Sequence, residues 1–231
     1  MGAEPVDSRP VAVFDLDGTL VSGDAFGLLL RQLLTRSRLR LAAALLSAPA
    51  WVPALLVPVT RVAAERHLVW LAFAGRDEDA VAAELRRFAG EHAGPGGGRA
   101  AVVGLERLRE HRERGDRVVV ATGCAAPLAE EVCAVLGLTD VEVAGTRLVR
   151  RTWGRPQRVV PVRGEGKVRA LEAAGVRFPV AHAYSDSASD LPLLRRAEVP
   201  HVVDPSPRDL DRLRQELGAD VDVLRWAARG G

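Results

Sequence analysis

Short apolar runs that stop on polar residues recur along this chain. Val11 to Phe14 follows Pro10 and ends at Asp15. A β-branched run of that length predicts a buried strand with an acid at its carboxyl end. Arg117 to Ala121 is a second such run and meets Thr122-Gly123. Val141 to Val143 is a shorter one. Val180 to Tyr184 leads into Ser185-Asp186, and His201 to Val203 is one more. Helical patterns fill the rest: Asp24 to Leu46, Ala63 to Phe73, Asp77 to Ala89, and Ala100 to Arg114 before Gly115. A further helix opens near Pro127 and closes at Gly137. Another covers Lys167 to Ala174 before Gly175, and the tail from Arg208 onward also reads as helical. Proline suits the first turn of a helix and glycine the position just past its end. Arg147 to Val162 alternates weakly around Gly154 and predicts a hairpin.

Strands that alternate with helices predict a parallel sheet covered on both faces. Residues 22–98 break the alternation. They are helical throughout and close on Gly94-Pro95-Gly96-Gly97-Gly98, the clearest break in the chain. The expected organisation is therefore an α/β core formed by residues 1–21 and 99–231, with a helical cap, 22–98, inserted between its first and second strands.

Composition removes several alternatives. The 231 residues are 48% hydrophobic and 27% charged, which suits a globular chain with a substantial core. Two cysteines, Cys124 and Cys133, are too few for a disulfide scaffold and have no zinc-like spacing. A formal net charge of +2 and an aromatic share of 4% give no reason to expect nucleic acid. The first ten residues contain no apolar run of the secretory kind, so a cytoplasmic location is expected.

One stretch changes the picture. Leu41 to Thr60 holds no charged residue over 20 positions, and Arg36, Arg38, Arg40, Arg61 and Arg66 flank it. That length is near what one bilayer crossing needs. Pro49, Pro53 and Pro58 interrupt it, and prolines break or kink helices. A single crossing would also put Asp15 and Asp186 on opposite sides of the membrane. The expectation is a helical hairpin bent near Pro53 that rests in one leaflet, or two short helices buried in the cap. The first would make the protein peripheral or monotopic on the inner membrane face, with the arginines meeting anionic phospholipid. The second leaves those arginines as an ordinary solvated face.

Ligands of open α/β sheets sit beyond the carboxyl ends of the strands. Asp15 and Asp17, Thr122 and Gly123, and Asp186 and Asp190 all fall there, and Lys167 begins the helix before the Asp186 strand. Carboxylates gathered in one crevice repel one another unless a cation is present. A hard divalent ion with oxygen ligands resolves this, and Mg²⁺ is the natural choice. On this reading Asp15, Asp186 and Asp190 hold the ion beside a substrate phosphate. Thr122 and the Gly123 N–H meet the phosphate oxygens, and Lys167 neutralises charge. A carboxylate there can attack phosphorus. A second acid two residues on can protonate the leaving oxygen and then activate water.

In order and spacing, Asp15-Leu16-Asp17-Gly18-Thr19-Leu20, Thr122-Gly123, Lys167 and Ser185-Asp186-Ser187-Ala188-Ser189-Asp190 resemble the four motifs of the haloacid dehalogenase superfamily. The resemblance implies a Rossmann-like, doubly wound parallel sheet. Asp15 would be the nucleophile and Asp17 the general acid/base, its carbonyl also touching Mg²⁺. Gly18, Thr19, Thr122, Gly123 and Lys167 would hold the phosphoryl group, and Asp186 and Asp190 would complete the metal site. A helical insertion after the first motif is similar to the phosphoserine-phosphatase-like branch, subfamily IB. Asp24-Ala25-Phe26-Gly27, the apolar cap and Tyr184-Ser185-Asp186-Ser187 look most like the phosphatidylglycerophosphatase C type. The second motif departs from the Ser-Gly-Gly of phosphoserine phosphatases, with Cys124 third. Asp24 stands where those enzymes carry a glutamate that reads the substrate amino group.

Each signal has a plainer reading. Asp24 also suits a helix cap, and Cys124 suits a small buried hydrophobe. The five histidines show no metal spacing and are read as structural. The expected function is a Mg²⁺-dependent phosphatase of a lipid phosphate such as phosphatidylglycerophosphate, acting through an aspartyl-phosphate. The alternatives are a soluble phosphatase of a small metabolite such as phosphoserine, and a non-catalytic phosphate-binding scaffold.

Overall fold

The computed structural model describes residues 9–149 and 158–226. Its centre is a seven-stranded sheet: β1 (Val11–Phe14), β2 (Arg117–Ala125), β3 (Glu142–Val149), β4 (Arg158–Val160), β5 (Val180–Ser185), β6 (Ala197–Val203) and β7 (Asp222–Leu224). They lie in the order β4-β3-β2-β1-β5-β6-β7. All neighbours pair parallel except β3 and β4, which are antiparallel. Chain order reverses at β1, which touches β2 on one side and β5 on the other. Ligands of doubly wound sheets bind at such a switch point.

Alternation along the strands sends side chains to two faces. Ala12 and Phe14 of β1 and Val118 and Val120 of β2 face one core. Val13, Val119 and Ala121 face the other. The first core is closed by α1 (Ala25–Thr35), α4 (Glu78–Ala93), α5 (Val102–Glu113) and α6 (Ala126–Val135), through Leu29, Leu33, Phe88, Leu108 and Leu128. The second is closed by α7 (Glu165–Ala173), α8 (Leu191–Leu194) and α9 (Pro207–Leu217), through Val168, Leu171, Leu193 and Leu213. Each fully buried Leu, Val or Phe contributes roughly 1.5–3 kcal/mol over its exposed state. Coverage on both faces is therefore what holds β1, and with it Asp15, in place.

The helical segment leaves and rejoins the sheet at one spot. Ser22 donates its N–H to the Arg99 carbonyl at 2.8 Å, and Ala101 donates to the Leu20 carbonyl at 2.9 Å. Between these points run α1, α2 (Arg38–Leu56), α3 (Pro58–Phe73) and α4. α1 and α4 share the first core with the sheet. α2 and α3 form a hairpin folded at Val57. His67 and Ser47, each ten residues from Val57, meet at 2.9 Å. Arg40 and Ala74, each seventeen away, meet at 2.9 Å.

Four expectations need correction. The helix expected over Asp24 to Leu46 is two, because Ser37 starts a new one by accepting from the Arg40 N–H. Neither Pro49 nor Pro53 ends α2, and the bend falls at Val57-Pro58 instead of near Pro53. These two prolines are one helical turn apart and exposed, so their rings disturb only the outer face. The option of helices buried in the cap is also overturned, since Ala44 is the one buried residue of α2. Lastly, the tail is not wholly helical. α9 ends at Gly218, where φ is +109°, and Asp222–Leu224 adds β7 beside β6. Separately, β3 runs on to Val149 and pairs with β4 in the expected hairpin, whose turn around Gly154 lies outside the described residues.

Candidate active site

β1 delivers Asp15 to the carboxyl edge of the sheet, where it is only 7% exposed. Its Oδ1 accepts from the Leu16 N–H at 2.8 Å and lies 2.8 Å from Lys167 Nζ. Among the described residues Oδ2 takes no donor, so one oxygen anchors the side chain and the other faces the pocket. Burial pushes the Asp15 carboxyl well up, Lys167 opposes that, and Asp190 and Asp186 add to it. Lys167 is 2% exposed at the start of α7, and its Nζ is also 2.6 Å from Asp190 Oδ2. Burial alone would lower the Lys167 ammonium; Asp15 and Asp190 hold it above its usual range. The three groups thus form a carboxylate–ammonium–carboxylate line inside the molecule.

The loop after β1 carries Asp17, whose Oδ1 accepts from the Ala25 N–H at 2.9 Å at the start of α1. Burial and the nearby Asp24 and Asp186 push its carboxyl up to about 6, against the Ala25 hydrogen bond and Lys167. Gly18 has φ +78°, and a Cβ there would stand 2.2 Å from Asp186 Oδ2. Only glycine therefore lets the first-motif loop approach the acid that follows β5. Burial and Asp190 push the Asp186 carboxyl up to about 6. Asp15, Asp17, Asp24, Asp186 and Asp190 all line one pocket of 210 Å³, together with Gly123, Arg163 and Lys167. The acids of the first and fourth motifs thus share one crevice.

The other sequence-predicted groups take varied positions. Gly123 lines the pocket at a register shift in β2. Thr122 is fully buried, and its Oγ1 accepts from the Cys124 N–H at 3.0 Å. Thr19 is 1% exposed and does not reach the pocket surface; its hydroxyl is buried with no hydrogen-bond partner. Asp24 is on the rim and does cap α1, accepting from the Gly27 N–H at 2.9 Å. Asp190 Oδ2 is taken by Lys167 and by the Ser185 hydroxyl at 2.7 Å, so it braces the lysine from behind. Cys124 is buried, and burial pushes its thiol well up.

Arg163, Ser187 and Ser189 line the same pocket and were not expected there. No sequence signal marks Arg163, which joins the site only because Gly123 is folded against it. The serines lie inside the fourth motif, yet a serine beside an aspartate reads first as a turn residue, and Ser187 does cap the turn Ala188–Asp190.

Among the described residues no three His, Cys, Asp or Glu side chains are grouped closely enough to form a ready metal cage. The donor set nevertheless fits a hard divalent cation. Asp15, Asp17 and Asp186 offer only oxygen, they share one pocket, and crowding with burial holds all three carboxyls above their usual range. A cation would offset that repulsion. A larger depression of 560 Å³ lies at the amino ends of the strands, where Arg117 pairs with Glu142 and Arg112 with Asp140. Its four arginines face four carboxylates, and none of the acids of the switch point lines it.

The family model described as haloacid dehalogenase-like hydrolase matches residues 12–195. No curated protein matches the chain by sequence. Among solved structures, a protein of unknown function from Bordetella pertussis Tohama I is 24% identical with a TM-score of 0.75, over 94% of this chain and 98% of that one. Phosphoserine phosphatase from T. onnurineus is 20% identical with a TM-score of 0.54, over 97% and 93%. A substrate-bound phosphoserine phosphatase is 15% identical with a TM-score of 0.53, over 89% and 91%. At these identities the likeness shows a shared fold.

Proposed function

The chain belongs to the haloacid dehalogenase-like hydrolase family, and on that premise we propose that it is a phosphatase whose nucleophile is Asp15. The observation that carries this reading is the anchored Asp15 carboxylate, held by Lys167 and the Leu16 N–H on one oxygen and open on the other. Asp15 Oδ2 attacks phosphorus as the ester oxygen leaves, giving an aspartyl-phosphate. Asp17, its carboxyl raised by burial to about 6, gives a proton to that leaving oxygen and then takes one from the attacking water. Lys167 and the Gly123 N–H meet the charge on the phosphoryl oxygens. Asp15, the Asp17 carbonyl and Asp186 would hold Mg²⁺, which when bound neutralises the crowded carboxylates and the phosphate.

We further propose a phospholipid-borne phosphate as substrate, phosphatidylglycerophosphate being the candidate. α2 supports this. It is 19 residues long with mean hydropathy 1.6 over its most apolar window, yet 6% of that window is buried. Leu46, Leu56 and Val59 are 84%, 82% and 91% exposed along the hairpin. Exposed apolar surface of this kind is costly in water. The hairpin's return through α3 brings the chain back to the side that holds Asp15, so it suits a shallow rest in one leaflet. A soluble substrate is the second reading, favoured by Asp24, a carboxylate at the pocket rim suited to an amino group.

The test is a hydrolysis panel with and without EDTA. It should include p-nitrophenyl phosphate, free phosphoserine and phosphatidylglycerophosphate in mixed micelles. Metal-dependent release of phosphate from the lipid above that from phosphoserine supports both steps. Preference for phosphoserine overturns the lipid substrate and keeps the phosphatase. No turnover of any ester overturns the phosphatase.

A further inference from the structure

We propose that Arg163 is a specificity-determining residue that binds a second anionic group of the substrate, beside the phosphoryl group being removed. This deepens the phosphatase reading above and rests on it for the placement of that phosphoryl group. The carrying feature is a cation at the pocket mouth that the phosphoryl chemistry does not use.

Arg163 precedes α7 and lies against the end of β2. A Cβ on Gly123 would stand 2.9 Å from Arg163 Nε. Glycine at 123 is thus what lets the guanidinium lie next to the backbone N–H proposed to meet the phosphate. Of the residues lining the pocket, two are cations, Lys167 and Arg163. Lys167 is enclosed between Asp15 and Asp190. Arg163 keeps 45% of its side-chain surface exposed, and its Nη1 is 3.1 Å from Glu65 Oε1 on α3. Against five lining carboxylates, it is the accessible positive charge.

The Glu65 contact is a holding position that an anion can take over. Partly exposed ion pairs are weak, so release costs little. Glu65 also has a second partner, Arg61 Nε at 3.0 Å, four residues earlier on the same helix. It is not left alone when Arg163 turns away. A guanidinium offers a planar fork that binds a carboxylate or phosphate through two parallel hydrogen bonds, stronger than one contact at 3.1 Å. Because Glu65 sits on α3 of the apolar hairpin, the pair also ties the hairpin to the pocket mouth.

The substrate class is therefore a phosphomonoester with another anionic group close by. That group can be a carboxylate on a small metabolite or a phosphodiester in a lipid headgroup; the guanidinium reads both. Steady-state kinetics of wild type, Arg163→Ala and Arg163→Lys separate the sources, using p-nitrophenyl phosphate, free phosphoserine and phosphatidylglycerophosphate in mixed micelles. Arg163→Ala should lower kcat/KM for phosphoserine or for the lipid at least tenfold more than for p-nitrophenyl phosphate. The loss should fall on KM, and Arg163→Lys should restore part of it. Calorimetric binding of phosphoglycolate and methyl phosphate in an Asp15→Asn background, which cannot form the aspartyl-phosphate, gives a readout free of turnover, so an inactive wild type would sink the phosphatase reading while the role of Arg163 is still decided. There, Arg163→Ala should weaken phosphoglycolate about tenfold more than methyl phosphate. Equal losses for one-anion and two-anion compounds, or no loss for either, would overturn the proposal.

Discussion

Lys167 Nζ stands 2.8 Å from Asp15 Oδ1 and 2.6 Å from Asp190 Oδ2, so one buried ammonium joins the end of β1 to the turn after β5. Asp15 and Asp190 have almost no contact with water, and that cation is the positive charge that faces them both. Removing one partner of a buried pair typically costs about 3–5 kcal/mol. Lys167→Met should therefore lower unfolding stability by about 3 kcal/mol, read by urea denaturation, and abolish phosphate release. A stable, active variant would show that the lysine neither braces the site nor meets the phosphate.

Gly18→Ala should damage the proposed metal site more than the fold. The backbone at φ +78° disfavours a side chain by roughly 1–2 kcal/mol, and the new methyl would collide with the Asp186 carboxylate. The expected result is a folded protein with a raised Mg²⁺ requirement and at least a tenfold loss of turnover. Unchanged Mg²⁺ dependence would mean that Asp186 does not need its close approach to this loop.

The histidines of the core give a pH dependence. His111 meets Tyr184 Oη at 2.9 Å, and His182 meets His201 at 3.1 Å, with His201 stacked on Tyr184. Burial, then His111 and His201, push His182 down to about 4. A base with a lowered folded-state pKa binds protons more readily once unfolded. Its contribution to stability is full above the unfolded value, about 6.5, and is lost as pH falls from there towards 4. Asp17 and Asp186, raised to about 6, act in the opposite sense over part of that window. The comparison of wild type with His182→Gln is thus the readout. Wild type should lose more stability than the variant between pH 7 and pH 4.5 in urea unfolding. Parallel curves would show that His182 is not held neutral.

The apolar hairpin yields a surface prediction. Leu46→Asp combined with Leu56→Asp should change stability by no more than about 0.5 kcal/mol each, since both side chains are exposed. Sedimentation with vesicles containing anionic phospholipid should drop sharply. Equal co-sedimentation of variant and wild type would remove the membrane from the account.

Much of this architecture was legible in the residues. β1 and residues 118–121 of β2 are buried apolar runs, β5 is one interrupted by His182, and each leads into a residue that lines the site. β7 was not legible, because Asp222-Val223-Leu224 is too short to show a period and depends on pairing with β6. Nor was the bend at Val57. Proline's missing N–H disturbs a helix only locally, and Pro49 and Pro53 sit where the rings face outward. At the site, Asp15, Asp17, Lys167 and Asp186 follow from order and spacing. Arg163 does not, because an isolated arginine on a loop acquires meaning only when Gly123, forty residues earlier, is folded against it.

The most direct test of the account is to look for the phosphate on the protein. Wild type and Asp17→Asn would be mixed with Mg²⁺ and p-nitrophenyl phosphate, quenched in acid, and their peptides read by mass spectrometry. A phosphoryl adduct should appear on Asp15, accumulate in Asp17→Asn, and be absent from an inactive Asp15→Asn. Continued turnover by Asp15→Asn, or turnover by wild type with the phosphate on no residue or on another one, would contradict it.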